Sequence, residues 1–459
     1  MPSFISGSNI QNLCNELAEN TSIDSSLYDK YHVKRGLRNS DGTGVVAGIT
    51  NICNVHGYVL NEGEVEAIPG QLIYRGYNIN DLVENVETEN RFGYEETVFL
   101  LLFGHLPTEK ELSTFNAYIS LKRDLPNGFV EDMILKAPSK NIMNKLSRSV
   151  LALYSYDDEC EHKGLENEMR TAVSLIAKLP VIMTTAYQVK RRVFDNQSMI
   201  MHPINYEENT AQCILSLLRP DRQYTDDEAK MLDRLLMLQA EHGGGNNSTF
   251  TCRVLTSSGT DPYSAYSSAI CSLKGPRHGG ANLQVISMLD NFKANIKNWN
   301  DEGEVADYMR KVIRKEANDG SGLIYGMGHA VYTVSDPRAV ILKKKAFELA
   351  KGKEIEAEFR LLETVERLTP EIFAEIKGST KTMCANVDMY SGLVYRMLGI
   401  PDELFTPLFA VARMAGWSAH RMEEILTGNR IIRPAYKAIA KPKQYVKISE
   451  RESGNSQNK

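Results

Sequence analysis

Apolar residues recur at three- and four-residue spacing along most of the chain, which is the pattern of helices that bury one face. Thr108 with Glu111, and Thr225 with Glu228, have the spacing of a capping box, in which two side chains satisfy backbone N–H groups at a helix start. The pattern predicts a helix after each box. It predicts further helices near residues 92–104, 142–154, 166–190, 302–317, 336–350, 353–367, 384–398 and 402–426.

Only two short stretches are typical of strands, "GVVAGIT" at residues 44–50 and "GQLIYRG" at residues 70–76. Both lie in the N-terminal third of the chain, and no repeat of fixed period accompanies them. The predicted fold class is therefore mainly α, a multi-helical fold with little β structure.

Two breaks in the helical pattern suggest how the domains are arranged. A glycine-rich stretch near residues 275–280 and a Gly-Ile-Pro sequence at 399–401 bracket a central helical segment. We expect a small helical domain at residues 281–398, inserted into a large helical domain made of residues 1–280 and 399–459.

Composition narrows the class of partner. The 459-residue chain is 42% hydrophobic, which is enough for a substantial core. It carries 53 Lys and Arg against 58 Asp and Glu, and its one notable basic run is Lys343–Lys345. This balance disfavours nucleic acid or a membrane surface as partner and favours a small molecule.

The cysteines and the first twenty residues indicate the cellular compartment of the protein. The seven cysteines form no CxxC pair, so we expect reduced thiols and no metal site. The first twenty residues lack Lys and Arg, which is unlike a secretory or transit peptide. No apolar run approaches the roughly 18 residues of a membrane span. We therefore expect a cytoplasmic protein.

Three of the nine histidines sit beside glycine at apparent helix boundaries: His242 in "AEHGGGNNSTFT", His278 in "GPRHGGAN" and His329 in "GMGHAVYTVSDPR". Glycine lets a ligand approach the backbone closely, so three such histidines together indicate a binding site. Any one of them alone is more often a structural residue. His420, in "ARMAGWSAHRMEE", has helical spacing and is predicted to be packed and hydrogen-bonded rather than catalytic.

Other catalytic motifs find little support. "HGGG" at residues 242–245 matches the oxyanion loop of some esterases, but "GWSAH" at 416–420 fails the G-x-S-x-G elbow at its last position. The sequence contains no phosphate-binding P-loop, no G-x-G-x-x-G after a strand and no H-E-x-x-H. A serine hydrolase, a nucleoside triphosphatase, a Rossmann oxidoreductase and a zinc peptidase are therefore disfavoured.

Five motifs in order resemble citrate synthase: "AEHGGGNNSTFTCRV", "LKGPRHGGAN", "GMGHAVYTVSDPRA", "NVDMYSG" and "LFTPLFAVARMAGWSAHRMEE" followed by "RIIRP". With the upstream "LIYRGYNINDLV", the resemblance covers most of residues 43–436. It implies a mainly α-helical homodimer with a large and a small domain in each subunit. The implied reaction condenses acetyl-CoA with oxaloacetate to give citrate and CoA, with acetyl-CoA as a substrate and no cofactor or metal.

The resemblance also implies catalytic roles. Asp388 would take a proton from the acetyl methyl, His278 would stabilise the enolate oxygen, and His329 would polarise the ketone under attack. His278 precedes a predicted helix, whose dipole would keep its ring neutral. Position alone would favour an N-terminal helix cap at Asp388, and only the motif match favours the base.

The substrate is a dicarboxylate, which needs fixed positive charge. By the family's motifs, the oxaloacetate ligands are His242, Arg338, Arg413 and Arg433, the last reaching the neighbouring subunit's site. Lysines at 343–345, 437, 441 and 443 are candidate contacts for CoA phosphates, but such lysines are usually solvated, and none is assigned.

Some alternatives stay open. Gln239, Ala240, Glu241 and Gly243 surround His242 where many bacterial relatives have "H-A-D-H-E", so the oxaloacetate pocket differs in detail. A 2-methylcitrate synthase that uses propionyl-CoA shares these motifs, because one methylene changes selectivity by only about 1–3 kcal/mol. A relative that binds CoA without catalysis is a third possibility. The N-terminus lacks the small β domain of the hexameric, NADH-inhibited branch, which favours a dimer.

Overall fold

The structure, a computed structural model, describes residues 7–39, 42–61, 64–378, 382–428 and 430–451. Helices make up 59% of the protein and strands 5%, which confirms the mainly α class. The helices are α1 (Gly7–Asn20), α2 (Ser26–Lys30), α3 (Ile79–Thr88), α4 (Tyr94–Phe103), α5 (Glu109–Leu121), α6 (Ile142–Leu153), α7 (Leu165–Phe194), α8 (Thr210–Leu218), α9 (Asp226–Gln239), α10 (Asn247–Ser257), α11 (Pro262–Leu273), α12 (Ala281–Asn295), α13 (Glu302–Ile313), α14 (Pro337–Ala350), α15 (Glu356–Lys377), α16 (Asp388–Met397) and α17 (Phe405–Thr427).

Both predicted capping boxes are present. At the start of α5, the N–H of Thr108 donates to Glu111 Oε2 at 2.8 Å, and the N–H of Glu111 donates to Thr108 Oγ1 at 3.3 Å. Thr225 and Glu228 make the same pair of bonds at the start of α9. These local bonds fix where the two helices begin, which is why the sequence alone could locate them.

The strands form one antiparallel sheet in the order β1 (Cys53–Asn61), β2 (Glu64–Tyr74) and β3 (Tyr77–Asn78). Residues 70–74 of the second predicted strand lie in β2. The first prediction is wrong, because residues 44–50 form no strand and their Val46 and Ile49 are exposed. Strand formation depends on a pairing partner, and β2 pairs instead with Cys53–Asn61.

The β1–β2 hairpin packs closely against the segment that follows His329. The N–H of Gly70 donates to the carbonyl of Ser335 at 3.0 Å. A Cβ on Gly70 would lie 2.2 Å from that same oxygen, and a Cβ on Gly57 would lie 2.7 Å from the carbonyl of Val331. Both positions therefore require glycine for this approach.

The helix α17 runs through the middle of the core. Its residues are buried without interruption from Phe405 to Glu423, and it contacts α4, α7, α9 and α10. A helix that is covered on all sides belongs to the interior of a large domain. Polar side chains on α17, such as Arg413 and His420, are therefore forced to find partners inside the protein.

The helix α7 is long and apolar enough to cross a membrane by length and composition, and it is the one such helix in the described part of the chain. In its most apolar 18-residue window, 78% of the residues are buried against the rest of the protein.

The chain divides into two compact units. One contains the described residues of 1–45 and 432–459, and the other contains residues 46–431. The predicted small domain at 281–398 lies within the second unit, and its boundaries stay a prediction.

Candidate active site

His278 lies in the turn between α11 and α12. Its Nε2 accepts the backbone N–H of Ser248 at 3.3 Å and lies 3.0 Å from Ser248 Oγ. Because a backbone N–H can only donate, the neutral ring holds its proton on Nδ1. Burial, reinforced by the charge of Arg413, lowers the pKa of His278 to about 4. A pKa of about 4 leaves the ring neutral near pH 7, and burial and the charge of Arg413 are its causes.

Ser248 is itself held in place from two sides. Trp417 Nε1 donates to Ser248 Oγ at 3.1 Å, and Ser248 Oγ donates to Asn246 Oδ1 at 3.0 Å. Ser248 thus links the His278 ring to α10 and α17. Ser248 lies inside the "HGGGNNSTF" motif, but nothing in the local sequence indicates its contact with His278.

His329 follows Gly326 and Gly328, whose φ angles of 82° and 87° are left-handed. Its Nδ1 accepts the backbone N–H groups of Val331 at 3.0 Å and Tyr332 at 3.1 Å. The neutral ring therefore carries its proton on Nε2, the opposite arrangement from that of His278.

One asparagine joins the His329 turn to the start of α16. The Nδ2 of Asn386 donates to the carbonyl of Gly328 at 2.9 Å, and its Oδ1 accepts the N–H of Asp388 at 3.0 Å. The N–H of Gly328 donates in turn to the carbonyl of Cys384 at 2.8 Å. These bonds tie the segment carrying Asp388 to the segment carrying His329.

Asp388 is the first residue of α16, and the N-cap position belongs to Val387, so Asp388 is not the helix cap that its position alone suggested. Burial raises the pKa of Asp388 to about 6, with Asp336 adding to the effect while Arg338 and Arg413 oppose it. A carboxylate with a pKa near 6 is ionised at pH 7 and is still basic enough to take a proton.

Arg338 and Arg413 give the surroundings of His242 a positive charge, and we call this region the cationic pocket. The Arg413 side chain is fully buried, and its Nε donates to the carbonyl of Gln239 at 2.7 Å. Within the described residues, Arg413 Nη1 and Nη2 and His242 Nε2 have no hydrogen-bond partner. Burial and the charge of Arg338 lower the pKa of His242 well below its usual value. Unpaired N–H groups of a buried guanidinium are costly, so the surroundings of Arg413 are suited to an anionic ligand.

The His242 ring also meets His329. Their ring centroids are 5.1 Å apart in an edge-to-face arrangement, and the His329 ring stacks on Tyr332 at 4.6 Å. The cationic pocket and the His329 donor are therefore parts of one site.

Arg338 is buried and already paired. Its Nε and Nη2 donate to the two carboxylate oxygens of Asp336 at 3.0 and 2.7 Å. The charge of Asp336 raises the pKa of Arg338 although burial opposes this. The carboxylate fixes the direction of the guanidinium, a role for Asp336 that "DPRA" did not reveal from sequence.

Arg433 is exposed and belongs to the other compact unit, so the site described here does not include it. Its predicted role in a neighbouring subunit's site stays a prediction.

A cavity of about 480 Å³ lies beside His278 and is also lined by Asn247, Ser272, Gly275, Pro276 and Arg277. A second cavity, of about 460 Å³, is lined by Lys343 and Lys344 and also by Asp336, the partner of Arg338. In the lysine run, Lys343 pairs with Glu366 at 2.9 Å and Lys345 with Glu87 at 2.9 Å, so both charges are already balanced by carboxylates.

The contacts of Ser418 and His420 show what these two residues do. Ser418 of "GWSAH" is fully buried and donates to the carbonyl of Met414 at 2.7 Å, so it is not placed as a nucleophile. His420 is fully buried and hydrogen-bonded, which confirms its predicted packed role.

The comparisons with known proteins give one family. The family model described as the citrate synthase C-terminal domain matches residues 39–435. A citrate synthase from Saccharolobus solfataricus is 32% identical over 421 residues, covering 91% of this chain and 99% of that protein. A 2-methylcitrate synthase from Corynebacterium glutamicum is also 32% identical, covering 91% of this chain and 98% of that protein.

A solved structure agrees over the same length. The ternary complex of citrate synthase from Thermoplasma acidophilum with carboxymethyl coenzyme A and oxaloacetate has a TM-score of 0.72 at 26% identity. The match covers 91% of this chain and 99% of that one.

Proposed function

Because the chain belongs to the citrate synthase family and is an acyltransferase of the citrate (Si)-synthase type, we propose that it condenses acetyl-CoA with oxaloacetate to give citrate and CoA. One observation carries the proposal. The charge of Arg413 acts on both Asp388 and His278, the His242 ring meets His329, and Arg413 Nη1 and Nη2 are buried with no hydrogen-bond partner among the described residues.

In the first step, oxaloacetate occupies the cationic pocket. Its carboxylates bind the free N–H groups of Arg413 and the fixed guanidinium of Arg338, and His242 donates to the same substrate. Bidentate contacts between guanidinium and carboxylate provide both charge and orientation. This places the ketone oxygen at His329 Nε2–H, which polarises the carbonyl carbon.

In the second step, the thioester enters the cavity beside His278. Asp388 takes a proton from the acetyl methyl, and the C–H electron pair moves toward the thioester oxygen. His278 Nδ1–H donates to that oxygen and stabilises the enolate. The methyl carbon then forms a bond with the ketone carbon as the C=O π bond breaks, and the ketone oxygen takes the proton of His329 Nε2–H. Asp388 releases the methyl proton to water, and water returns one proton to His329. Water finally cleaves the C–S bond, which releases citrate and CoA.

No cofactor is proposed, since the chain's own side chains supply the base and both donors. We propose a cytoplasmic location, which is supported by seven cysteines that are all free thiols.

We further propose a homodimer in which Arg433 reaches the neighbouring subunit's site. Arg433 is exposed, and so are the large aromatic side chains of Tyr436 and Tyr445 that follow it. Exposed aromatic side chains along an extended segment are suited to being covered by a second copy of the chain.

Acetyl-CoA is the proposed thioester, and propionyl-CoA is the alternative, because 2-methylcitrate synthases are as similar to this chain as some citrate synthases are. Release of CoA thiol from each thioester, with and without oxaloacetate, distinguishes the two. The proposal predicts oxaloacetate-dependent release with a higher kcat/KM for acetyl-CoA. A preference for propionyl-CoA would favour the alternative, and release without oxaloacetate would contradict both.

The same assay on Asp388→Ala tests the assigned base. Loss of a positioned base costs about 10²–10⁴-fold in rate, while calorimetry should still detect oxaloacetate binding. Unchanged turnover in Asp388→Ala would remove Asp388 from the mechanism.

A further inference from the structure

A buried row of charged and polar side chains lies directly behind His242. His420 Nε2 lies 2.9 Å from Glu241 Oε1, and both side chains are completely buried. On the other side of the ring, His420 Nδ1 accepts from Arg253 Nε at 3.1 Å and from Arg253 Nη2 at 2.9 Å. Arg253 is balanced by two carboxylates, those of Glu423 and Glu424.

This pattern fixes the direction of every bond in the row. A guanidinium has no acceptor, so His420 Nδ1 must accept from Arg253, and the ring proton is on Nε2. That N–H donates to Glu241. The Glu241 carboxylate is thus held by a neutral imidazole that is itself anchored to α10 through Arg253.

The carboxylate then acts on the backbone around His242. Glu241 Oε1 also accepts the N–H of Gly243 at 2.6 Å. Gly243 has a left-handed φ of 87°, so this bond stabilises the turn that immediately follows His242. Since Glu241 and Gly243 flank His242, the bond constrains the backbone on both sides of that ring.

The helix α17 closes the arrangement from behind. A Cβ on Gly416 would lie 2.0 Å from Glu241 Oε2 and 2.5 Å from the carbonyl of Ala240. Only glycine permits this approach. In addition, the N–H of Gly416 donates to the Ala240 carbonyl at 3.1 Å. The segment before His242 is therefore seated on the same helix that carries Arg413 and His420.

We infer that Glu241 and His420 are positioning residues for oxaloacetate: the pair holds the turn around His242 so that the ring and Arg413 face one dicarboxylate. The inference rests on the proposed function. Neither residue touches the substrate, and each acts through His242. The expected signature is a weakened affinity for oxaloacetate with a much smaller effect on kcat.

The test compares Glu241→Ala with Glu241→Gln. The alanine removes the acceptor of both the Gly243 and the His420 N–H, whereas the glutamine keeps one acceptor oxygen and loses only the charge. We expect Glu241→Ala to raise the KM and the Kd for oxaloacetate about 10-fold or more. Glu241→Gln should stay within about 3-fold of the unmodified protein, and kcat should change little in either variant.

Glu168→Ala is the matched control. Glu168 lies on α7 and accepts two hydrogen bonds, both at 2.7 Å, from Arg421 on α17. It is not part of the site. This variant should lower the melting temperature and leave the KM for oxaloacetate unchanged. The inference is overturned if Glu241→Ala folds with an unchanged oxaloacetate Kd, or if Glu241→Gln weakens binding as much as the alanine does.

A second pair of variants, at His420, keeps the test valid if Glu241→Ala does not fold. His420→Gln can still donate to Glu241 and accept from Arg253, whereas His420→Leu can do neither, so the glutamine should retain the affinity that the leucine loses. If both Glu241→Ala and His420→Leu fail to fold, the row serves stability and the inference is wrong. Calorimetry with oxaloacetate alone needs no turnover, so a failure of the proposed reaction would be seen separately, as binding without CoA release.

Discussion

Asn386 accepts the backbone N–H of Asp388 through Oδ1 at 3.0 Å, while its Nδ2 donates to the carbonyl that precedes His329. One amide thus holds the proposed base and one proposed donor at a fixed separation. Positioning of this kind contributes strongly to catalysis, because reacting groups must be aligned within about 0.5 Å.

Asn386→Ala should therefore lower kcat, by about 10²-fold, because a small misplacement of the base is costly. Stopped assays of CoA release would measure the change. Asn78→Ala is the control: Asn78 accepts the N–H of Asn80 at 2.9 Å and caps α3. That variant should lose about 1 kcal/mol of stability with kcat intact. An equal loss of kcat in both variants would mean that Asn386 is only a helix cap.

The pH dependence of kcat/KM follows from Asp388. Its pKa is raised to about 6 by burial, and the base must be ionised to accept a proton. Activity should thus fall as the pH drops through about 6, roughly tenfold per pH unit once the acid form dominates. His278, with a pKa of about 4, stays neutral over this range and so does not change the pH profile of kcat/KM. Circular dichroism at each pH would verify that the fold persists, and a flat profile between about pH 5 and 7 would contradict the assignment of the base.

Arg413→Met should separate binding from stability. Losing one partner of a buried charged contact costs roughly 2–5 kcal/mol of binding, so the KM for oxaloacetate should rise at least about 30-fold. The free protein should keep its free energy of unfolding or gain some, because Arg413 Nη1 and Nη2 are buried without a partner among the described residues. Urea unfolding would measure this. A strongly destabilised variant would show that the guanidinium has a structural role instead.

The proposed dimer predicts complementation between two inactive variants. Asp388→Ala subunits lack the base, and Arg433→Ala subunits lack the residue lent to the neighbour. After mixing under conditions that exchange subunits, half of the sites in a mixed dimer contain both groups, so activity should return. No recovery in confirmed mixed dimers would place Arg433 in its own subunit's site or in none.

The sequence located the parts of this protein that depend on local bonds or on motifs. The capping boxes at Thr108 and Thr225 depend on bonds across three residues, and the structure confirms both. The strand at residues 44–50 was wrong, since a strand depends on a partner that the local pattern does not reveal.

The local sequence pattern also did not reveal the residues that hold the site residues in place, and the reason is similar. Ser248 bonds His278 across 30 residues, and Glu241 bonds His420 across 179. Residue type at these positions is compatible with many environments, and only the folded chain brings the partners together. Asn386 and Asp336 lay within quoted motifs, but nothing local indicated what their side chains would bind.

The most direct measurement is a crystal structure of the protein with oxaloacetate and the thioether analogue carboxymethyl coenzyme A. The proposed mechanism predicts hydrogen-bond distances of about 2.6–3.2 Å from Asp388 and His278 Nδ1 to the carboxymethyl group. It predicts the same distance from His329 Nε2 to the ketone oxygen, with Arg413 on a substrate carboxylate. A complex in which Asp388 lies far from the analogue, or in which the two histidines face different ligands, would contradict it.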